Sequence, residues 1–311
     1  MSTDASSSPP ASPSSGGHAG DLVRVAWAYV VALAAAAAVM ALSAGLDGLL
    51  WRLAAADLAA TLVIFGFSLR HDNTSLYDPY WSVIPLALAP YVAVVGWGGG
   101  ADGTRALLVV ALVGFWGVRL THNWARGWTG LDHEDWRYVA FREPGGRAYW
   151  LISLFAFHLF PTVQVFLGCL PVVAACAWSG RPLGWLDGLA TLVTAGAVIL
   201  ELVADNQLRD FVRERRRPGQ TMTQGVWSWC RHPNYLGEIG FWCGLYLFGL
   251  AALGPSGWWL GVGALAMIAM FNFASIPLIE KRMAKRRSDY AEVCARIPRL
   301  LPWGILRRQD S

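Results

Sequence analysis

Long apolar stretches alternate with short polar ones along most of the chain. Crossing a bilayer takes about 20 apolar residues. Blocks near that length occur at 24–45, 53–69, 81–97, 105–121, 149–178, 184–204, 236–254 and 257–279. The fifth block is long and contains Pro161, so we expect a kink or a break in its helix. The pattern predicts an all-α fold, a polytopic transmembrane helical bundle of seven or eight spans.

The composition agrees with a membrane protein. Apolar residues make up 55% of the 311 residues and charged residues 15%, against roughly 25% charged in soluble domains. Residues 1–21 are rich in Ser, Pro, Ala and Gly, and we predict a disordered tail there. A single transmembrane domain is expected over 22–303, followed by a short tail over 304–311. The five cysteines lack metal-ligand spacing, so no metal site is predicted.

The basic residues predict an orientation. Lys and Arg concentrate around 70, in 122–148 and 205–235, and after 280, whereas the alternate loops hold few. The positive-inside rule places both termini and the basic loops in the cytoplasm. We therefore expect a multi-pass protein of the cell inner membrane whose active site opens to the cytoplasm. The net charge of +4 fits contact with membrane lipids and requires no nucleic-acid partner.

Charged residues also lie at the ends of the predicted spans. Such residues are costly inside a bilayer unless they line a wet cavity, so they indicate a functional site. Their alternative role is structural, as side chains that reach the interface or form ion pairs there. The residues concerned are Arg119, Glu201, Asp205, Glu238 and Glu280.

The segment "RHPNYLGE", 231–238, places polar side chains at the start of an apolar block. Pro233 suits the first turn of a helix, and the free N–H groups of that turn favour an anion. Such a set suits the amide, ribose and phosphate groups of a nucleotide. No GxGxxG motif is present, so a nucleotide would bind among the spans. The candidate ligands are Arg231, His232, Asn234, Tyr235 and Glu238.

The preceding segment "RERRRPG" is a second candidate for cofactor binding. Guanidinium groups bind phosphate in a bidentate manner, so Arg213, Arg215 and Arg217 suit a cofactor with several phosphates. The same arginines also suit contact with anionic lipid head groups. Both interpretations remain open from the sequence.

Three segments resemble the carboxy-terminal domain of steroid 5-alpha-reductase-like membrane proteins. They are "ADNQLRDF", "GVWSWCRHPNYLGEIGFWCGLYLFG" and "IPLIEKRMAKRRSDYAEVCARIPRLLPW". The resemblance covers roughly 68–303 and is strongest over 201–303. Isoprenylcysteine carboxyl methyltransferases, in the same superfamily, carry a similar "RHP-x-Y" segment and a similar ending.

The resemblance implies that NADPH binds inside the bundle and that hydride passes to the beta carbon of an enone. It implies that Asn234 and Glu238 contact the nicotinamide end or order its pocket, and that Asp205 lies at the cofactor. The basic stretch 213–217 would lie near the phosphates, and Arg282 would add polar contacts.

The resemblance leaves the proton donor open. The Glu/Tyr pair that polarises the ketone in animal steroid reductases has no clear counterpart in the sequence. Asp78, Tyr80 and His122 lie in roughly corresponding regions, and each can donate a hydrogen bond to a ketone oxygen. Their alternative roles are interfacial anchoring for Tyr80 and helix capping for Asp78.

The predicted function is an NADPH-dependent reductase of a conjugated C=C bond in a lipid or steroid-like substrate, with the hydride supplied by the cofactor. The alternative is an S-adenosylmethionine-dependent membrane methyltransferase, which needs no phosphate-binding loop. A third possibility is a non-catalytic transporter or scaffold. Transporters usually contain paired broken helices in two related halves, and the sequence has no internal repeat.

Overall fold

The computed structural model describes residues 15–178, 180–214 and 219–302, and this part of the chain contains helices and no strands. Seven stretches are long and apolar enough to cross a membrane: Ala19–Leu42, Leu49–Arg70, Thr74–Gly96, Gly103–Gly127, Trp136–Trp178, Trp185–Glu214 and Pro233–Arg286. The all-α, multi-pass prediction is confirmed.

The α-helices are α1 Ser15–Leu42, α2 Leu49–Arg70, α3 Tyr80–Gly96, α4 Gly103–Gly127, α5 Trp136–Gly145, α6 Tyr149–Ile152, α7 Phe160–Val173, α8 Trp185–Glu214, α9 Pro233–Leu253, α10 Val262–Met270, α11 Ile276–Arg286 and α12 Tyr290–Arg296. Short 3₁₀ turns cover Thr74–Tyr77, Gly146–Ala148, Gly225–Ser228 and Gly254–Gly261. π-helical turns cover Ser153–Leu159, Ala174–Trp178 and Phe271–Ser275.

Two irregular segments bear on the number of membrane crossings and on the helix around Pro161. The last stretch has 54 residues, which is about 80 Å of helix and enough for two crossings. A 3₁₀ turn divides it, beginning at Gly254 with a φ of 69°. Near Pro161, the site of the expected kink or break, the helix is continuous and becomes π-helical over Ser153–Leu159, directly before α7. Such turns inside α-helices are often found at functional sites.

The amino-terminal boundary differs from the prediction. Helix α1 begins at Ser15, so the last part of the predicted tail, 15–21, is helical. Residues 1–14 lie outside the described residues, as do residues 303–311, which include the predicted tail over 304–311. A helix formed by a long apolar run extends into flanking polar residues at little cost in free energy, because adding a residue to an existing helix does not require a new nucleation step.

The described part of the chain divides into two compact units, and the single domain expected over 22–303 stays a prediction. Among the described residues, unit 1 comprises the chain up to Tyr80 and His122–Thr162, and unit 2 comprises Trp81–Thr121 and the chain from Val163 onward. Residues 103–121 of α4 belong to unit 2, where two of their arginines form ion pairs with α8. Arg105 near the start of α4 pairs with Asp187 at 2.7 Å, and Arg119 near its end pairs with Glu201 at 2.6 Å.

Helices α8 and α9 pack closely through glycines. A Cβ on Gly237 would lie 2.8 Å from the backbone oxygen of Ala197, and a Cβ on Gly244 would lie 2.1 Å from Thr194 Oγ1. Small residues at such spacing let helix backbones approach closely in membranes. The close approach brings Glu201 on α8 next to Glu238 on α9.

Candidate functional site

A cavity in unit 2 lies at the start of α9. Its volume is about 140 Å³, large enough for one ring system and below the 300–1,000 Å³ that encloses a drug-sized ligand. Three parts of the chain form its walls: the end of α8, the loop leading to α9, and α11 with α12. The lining residues are Leu208, Gln220, Thr221, Met222, Trp227, Arg231, His232, Asn234, Tyr235, Ile279, Met283, Arg287, Tyr290 and Val293.

The sequence-predicted residues of the "RHPNYLGE" segment meet at this cavity, with one exception. Arg231, His232, Asn234 and Tyr235 line it, while Glu238 lies outside the lining. Helix α9 begins at Pro233, as predicted. The Tyr235 ring stacks on the His232 ring, with the centroids 5.6 Å apart. The segment therefore presents aromatic faces and amide groups to the same space.

Tyr290 is one of the polar residues of the cavity that sequence reasoning missed. The residue is 6% exposed, and its hydroxyl contacts the Cys294 thiol but has no oxygen or nitrogen partner within the described part of the chain. Burial raises the pKa of Tyr290, and the nearby Glu280 raises it further, so the hydroxyl keeps its proton at neutral pH. A buried hydroxyl without a strong partner costs free energy, which makes Tyr290 a candidate donor to a ligand.

Arg231 is bound within the protein. Its Nε and Nη2 donate to Glu280 Oε1 at 3.0 and 2.8 Å, and its Nη1 donates to the Ile297 carbonyl at 2.7 Å. His232 Nε2 also lies 3.1 Å from Glu280 Oε1. Burial lowers the pKa of His232, partly offset by Glu280. These contacts hold the start of α9 against α11 and the carboxy-terminal segment.

A buried ionic cluster lies in the same unit, where α4, α8 and α9 meet. Arg119 Nη2 is 2.6 Å from Glu201 Oε2, and Nη1 is 2.8 Å from Asp205 Oδ2. Glu238 is close enough to Arg119 and Glu201 to interact with both electrostatically. The structure thus brings together four of the five charged residues expected at a functional site.

Two indole groups hold Glu238. Trp116 Nε1 donates to its Oε2 at 2.9 Å, and Trp242 Nε1 donates to its Oε1 at 2.9 Å. Asn234 lies one helical turn earlier, so α9 carries the cavity and the ionic cluster on successive turns. The role of Glu238 at the nicotinamide stays a prediction.

The arginine candidates are only partly described. Arg213 is exposed near the end of α8. Arg215 and Arg217 lie outside the described residues. Arg282 is on α11, is partly buried, and interacts with neighbouring groups.

In unit 1, the three candidate proton donors lie in different surroundings. Asp78 accepts a hydrogen bond from the Tyr138 hydroxyl and lies 3.7 Å from Arg137. Tyr80 is buried, and its hydroxyl donates to Asp57 Oδ1 at 2.8 Å. His122 is exposed near the end of α4.

Asp57 is a further residue that sequence reasoning missed. It gives Tyr80 an acidic partner, so unit 1 contains a hydrogen-bonded carboxyl–tyrosine pair that was not identified from the sequence. An available signal was the isolated carboxylate within the apolar block 53–69, because ionisable residues in spans mark functional sites by default.

A family model described as "Protein of unknown function (DUF1295)" matches residues 64–297. That family includes steroid 5-alpha-reductase-like proteins. The uncharacterized protein C594.04c of Schizosaccharomyces pombe is 27% identical over 261 residues, covering 77% of this chain and 76% of the relative. No solved structure matches. Because the family model covers well over half of the sequence, the chain belongs to the DUF1295 family.

Proposed function

We propose that this membrane protein is an NADPH-dependent reductase of a conjugated C=C bond in a lipid or steroid-like substrate. The observation that carries the proposal is the unit 2 cavity, whose lining includes Tyr290 with a buried hydroxyl that has no oxygen or nitrogen partner among the described residues. The cavity combines the aromatic faces of Trp227 and Tyr235 with the Asn234 amide and this hydroxyl. A heteroaromatic ring with polar edges, such as one end of a dinucleotide, fits that lining and its volume of about 140 Å³.

The reductase assignment, as opposed to nucleotide binding alone, rests on the resemblance of 201–303 to steroid 5-alpha-reductase-like proteins; unit 1, taken by itself, contains a candidate acid. Reducing an enone builds negative charge on the carbonyl oxygen, and a donor aimed at that oxygen lowers the barrier. The Tyr80 oxygen lies 2.8 Å from Asp57 Oδ1; a protonated Asp57 can donate to the Tyr80 oxygen, which frees the Tyr80 proton for the carbonyl oxygen. A bound nicotinamide cofactor would supply the hydride. The chain's own residues would orient both reactants and hold the proton.

A second candidate, an S-adenosylmethionine-dependent methyltransferase, is favoured by one observation. Arg231 is already bound to Glu280 and to backbone carbonyls, so phosphate recognition would depend on other residues, such as the stretch 213–217. A cofactor with an adenosine group and no phosphates uses such a cavity equally well. Methyl transfer gives no role to a buried acid, which is why we favour the reductase.

Ligand-induced stabilisation separates the candidates. The protein is purified in mild detergent, and its melting temperature is measured with NADPH, NADH and S-adenosylmethionine, because a ligand that binds the folded state raises it. We expect NADPH to raise it most. A rise with S-adenosylmethionine and none with nicotinamide nucleotides supports the second candidate. No rise with any of the three contradicts both.

Tyr290→Phe tests the cavity itself. Removing a hydroxyl without an oxygen or nitrogen partner leaves the ligand-free melting temperature unchanged or slightly higher. A ligand that bonds to the hydroxyl should bind about two- to tenfold more weakly, since a hydrogen bond contributes about 0.5–1.5 kcal/mol. The matched control is Tyr91→Phe, the same chemical change at an exposed tyrosine of unit 2. Equal affinity in both variants would mean that the cavity does not hold the cofactor.

A further inference from the structure

Five buried side chains of unit 1 form one continuous chain of hydrogen bonds. The Tyr77 hydroxyl lies 2.7 Å from Thr162 Oγ1, which lies 2.8 Å from Thr61 Oγ1. Thr61 donates to the Tyr80 hydroxyl at 2.9 Å, and Tyr80 donates to Asp57 Oδ1 at 2.8 Å. Each tyrosine and threonine hydroxyl in the chain can both donate and accept a hydrogen bond, and the chain ends at the carboxyl group of Asp57. Such a chain can pass a proton from one end to the other.

The depth of Asp57 explains why a chain is needed. Asp57 lies 13 residues before Arg70, the last residue of α2, which is about 20 Å along a helix. It lies 8 residues after Leu49, the first residue, or about 12 Å. The carboxyl group is therefore near the middle of a hydrocarbon layer about 30 Å thick. Water does not reach this depth in lipid, so a proton requires a path through the protein.

Tyr77 is at the other end of the chain, next to a polar loop. It ends the 3₁₀ turn Thr74–Tyr77, which follows residues 71–73. Its ring contacts the ring of His158, with the centroids 4.8 Å apart. On that side, further polar groups lead towards the partly exposed Arg142: they are Ser153, Thr74, Tyr149 and Glu134.

We propose that Tyr77, Thr162 and Thr61 form a proton relay that delivers a proton to the Asp57–Tyr80 pair. The relay rests on the proposed function, because the reduction of a C=C bond by hydride consumes one proton in each turnover. In one passage, the Tyr80 O–H bond breaks and its proton binds Asp57 Oδ1. Thr61 then passes its proton to Tyr80, Thr162 to Thr61, and Tyr77 to Thr162.

One passage along the relay transfers one proton and no electrons. Each hop breaks one O–H bond and forms another, and Tyr77 regains its proton from water. The net change is a carboxylate converted to a carboxylic acid at Asp57. The hydride and its electron pair come from the proposed nicotinamide cofactor. The three relay residues position and deliver the proton and need no contact with the substrate.

Infrared spectroscopy tests the relay without cofactor or substrate. The purified protein in detergent is mixed rapidly with deuterated buffer, and the exchange of the Asp57 carboxylic acid proton is followed through its C=O stretching band. Asp57→Asn assigns the band by removing it. Thr162→Val keeps the side-chain shape but removes the hydroxyl that joins Tyr77 to Thr61. Thr162→Ser is the matched control, because it keeps the hydroxyl.

We expect exchange at Asp57 to slow by on the order of tenfold or more in Thr162→Val, the factor that a barrier increase of about 1.4 kcal/mol produces. Thr162→Ser should exchange like the parent protein. If Thr162→Val fails to fold, Tyr77→Phe breaks the chain one link further along. Unchanged exchange in the folded variant, or an absent Asp57 band in the parent, overturns the relay. A network that only stabilises the fold would lower the melting temperature of Thr162→Val without slowing exchange.

The outcome for the relay and the outcome for the proposed function can be told apart. If no nicotinamide nucleotide binds but exchange slows in Thr162→Val, the relay stands and the reductase assignment fails. If NADPH binds and exchange is unchanged in Thr162→Val, the reductase assignment stands and the relay fails.

Discussion

Replacing Glu238 tests whether the two indole groups define its environment. Glu238 is 4% exposed, and each of its carboxylate oxygens accepts one indole N–H at 2.9 Å, from Trp116 and from Trp242. Glu238→Leu leaves both N–H groups buried without an acceptor. Glu238→Gln keeps one oxygen acceptor and replaces the other with an NH₂ donor, so a single indole loses its partner.

The magnitude follows from counting the unsatisfied groups. Leaving one buried donor unpaired costs about 1–3 kcal/mol. Glu238→Gln should therefore lower the free energy of unfolding by about 1–3 kcal/mol and Glu238→Leu by about 2–6 kcal/mol. We expect the lower end of each range, because a chain unfolded within the membrane environment also finds partners for its polar groups.

Equilibrium unfolding in mixed micelles, with a denaturing detergent as the titrant, measures these losses. Glu143→Gln and Glu143→Leu are the matched controls, because Glu143 is exposed and surface changes usually stay within about 0.5 kcal/mol. The expected order is parent, then Gln, then Leu. Equal stability of Glu238→Leu and the parent, or equal losses for the two variants, would refute the reasoning.

The same variants address the cofactor. If Glu238 orders the nicotinamide pocket, NADPH should raise the melting temperature of Glu238→Leu less than that of Glu238→Gln. If Glu238 only holds Trp116 and Trp242, both variants lose stability without ligand, and the rise caused by NADPH is the same in each folded fraction.

Two further predictions follow from packing and from charge. Gly237→Ala should lower the free energy of unfolding by roughly 1–3 kcal/mol, because its Cβ would lie 2.8 Å from the Ala197 oxygen. The control Gly196→Ala on α8, whose Cβ would have nothing within 4 Å, should be neutral or stabilising. Equal effects of the two variants in thermal unfolding would contradict the close packing of α8 and α9. Burial keeps the pKa of His232 below its usual value despite Glu280, so stability is fully present above pH 6.5 and is lost as pH falls towards the folded-state pKa. In unfolding measurements, His232→Gln should reduce the loss of stability between pH 7 and pH 5. If stability depends on pH in the same way in the variant and the parent, His232 is not the cause of the loss.

The span pattern and the start of α9 were predictable because both depend on local sequence. A run of about 20 apolar residues crosses a bilayer whatever surrounds it, and proline suits the first turn of a helix because it lacks an N–H that would need a partner there. The structure confirms the helix start at Pro233. The meeting of Arg231, His232, Asn234 and Tyr235 at one cavity follows from their adjacency on that turn.

The partners of the polar side chains depended on the tertiary structure. Tyr80 binds Asp57, Glu238 binds Trp116, and Tyr290 lines the same cavity as Asn234. Residues far apart in the sequence meet only when particular helix faces come together, and hydropathy does not encode which faces do so. For α8 and α9, the glycines determine which faces meet, because they allow the two helix backbones to pack closely and so bring Glu201 next to Glu238. The sequence by itself determined which segments enter the membrane and which polar groups they carry; the packing of those segments decided which groups face each other and which residues, like Tyr290, line a cavity.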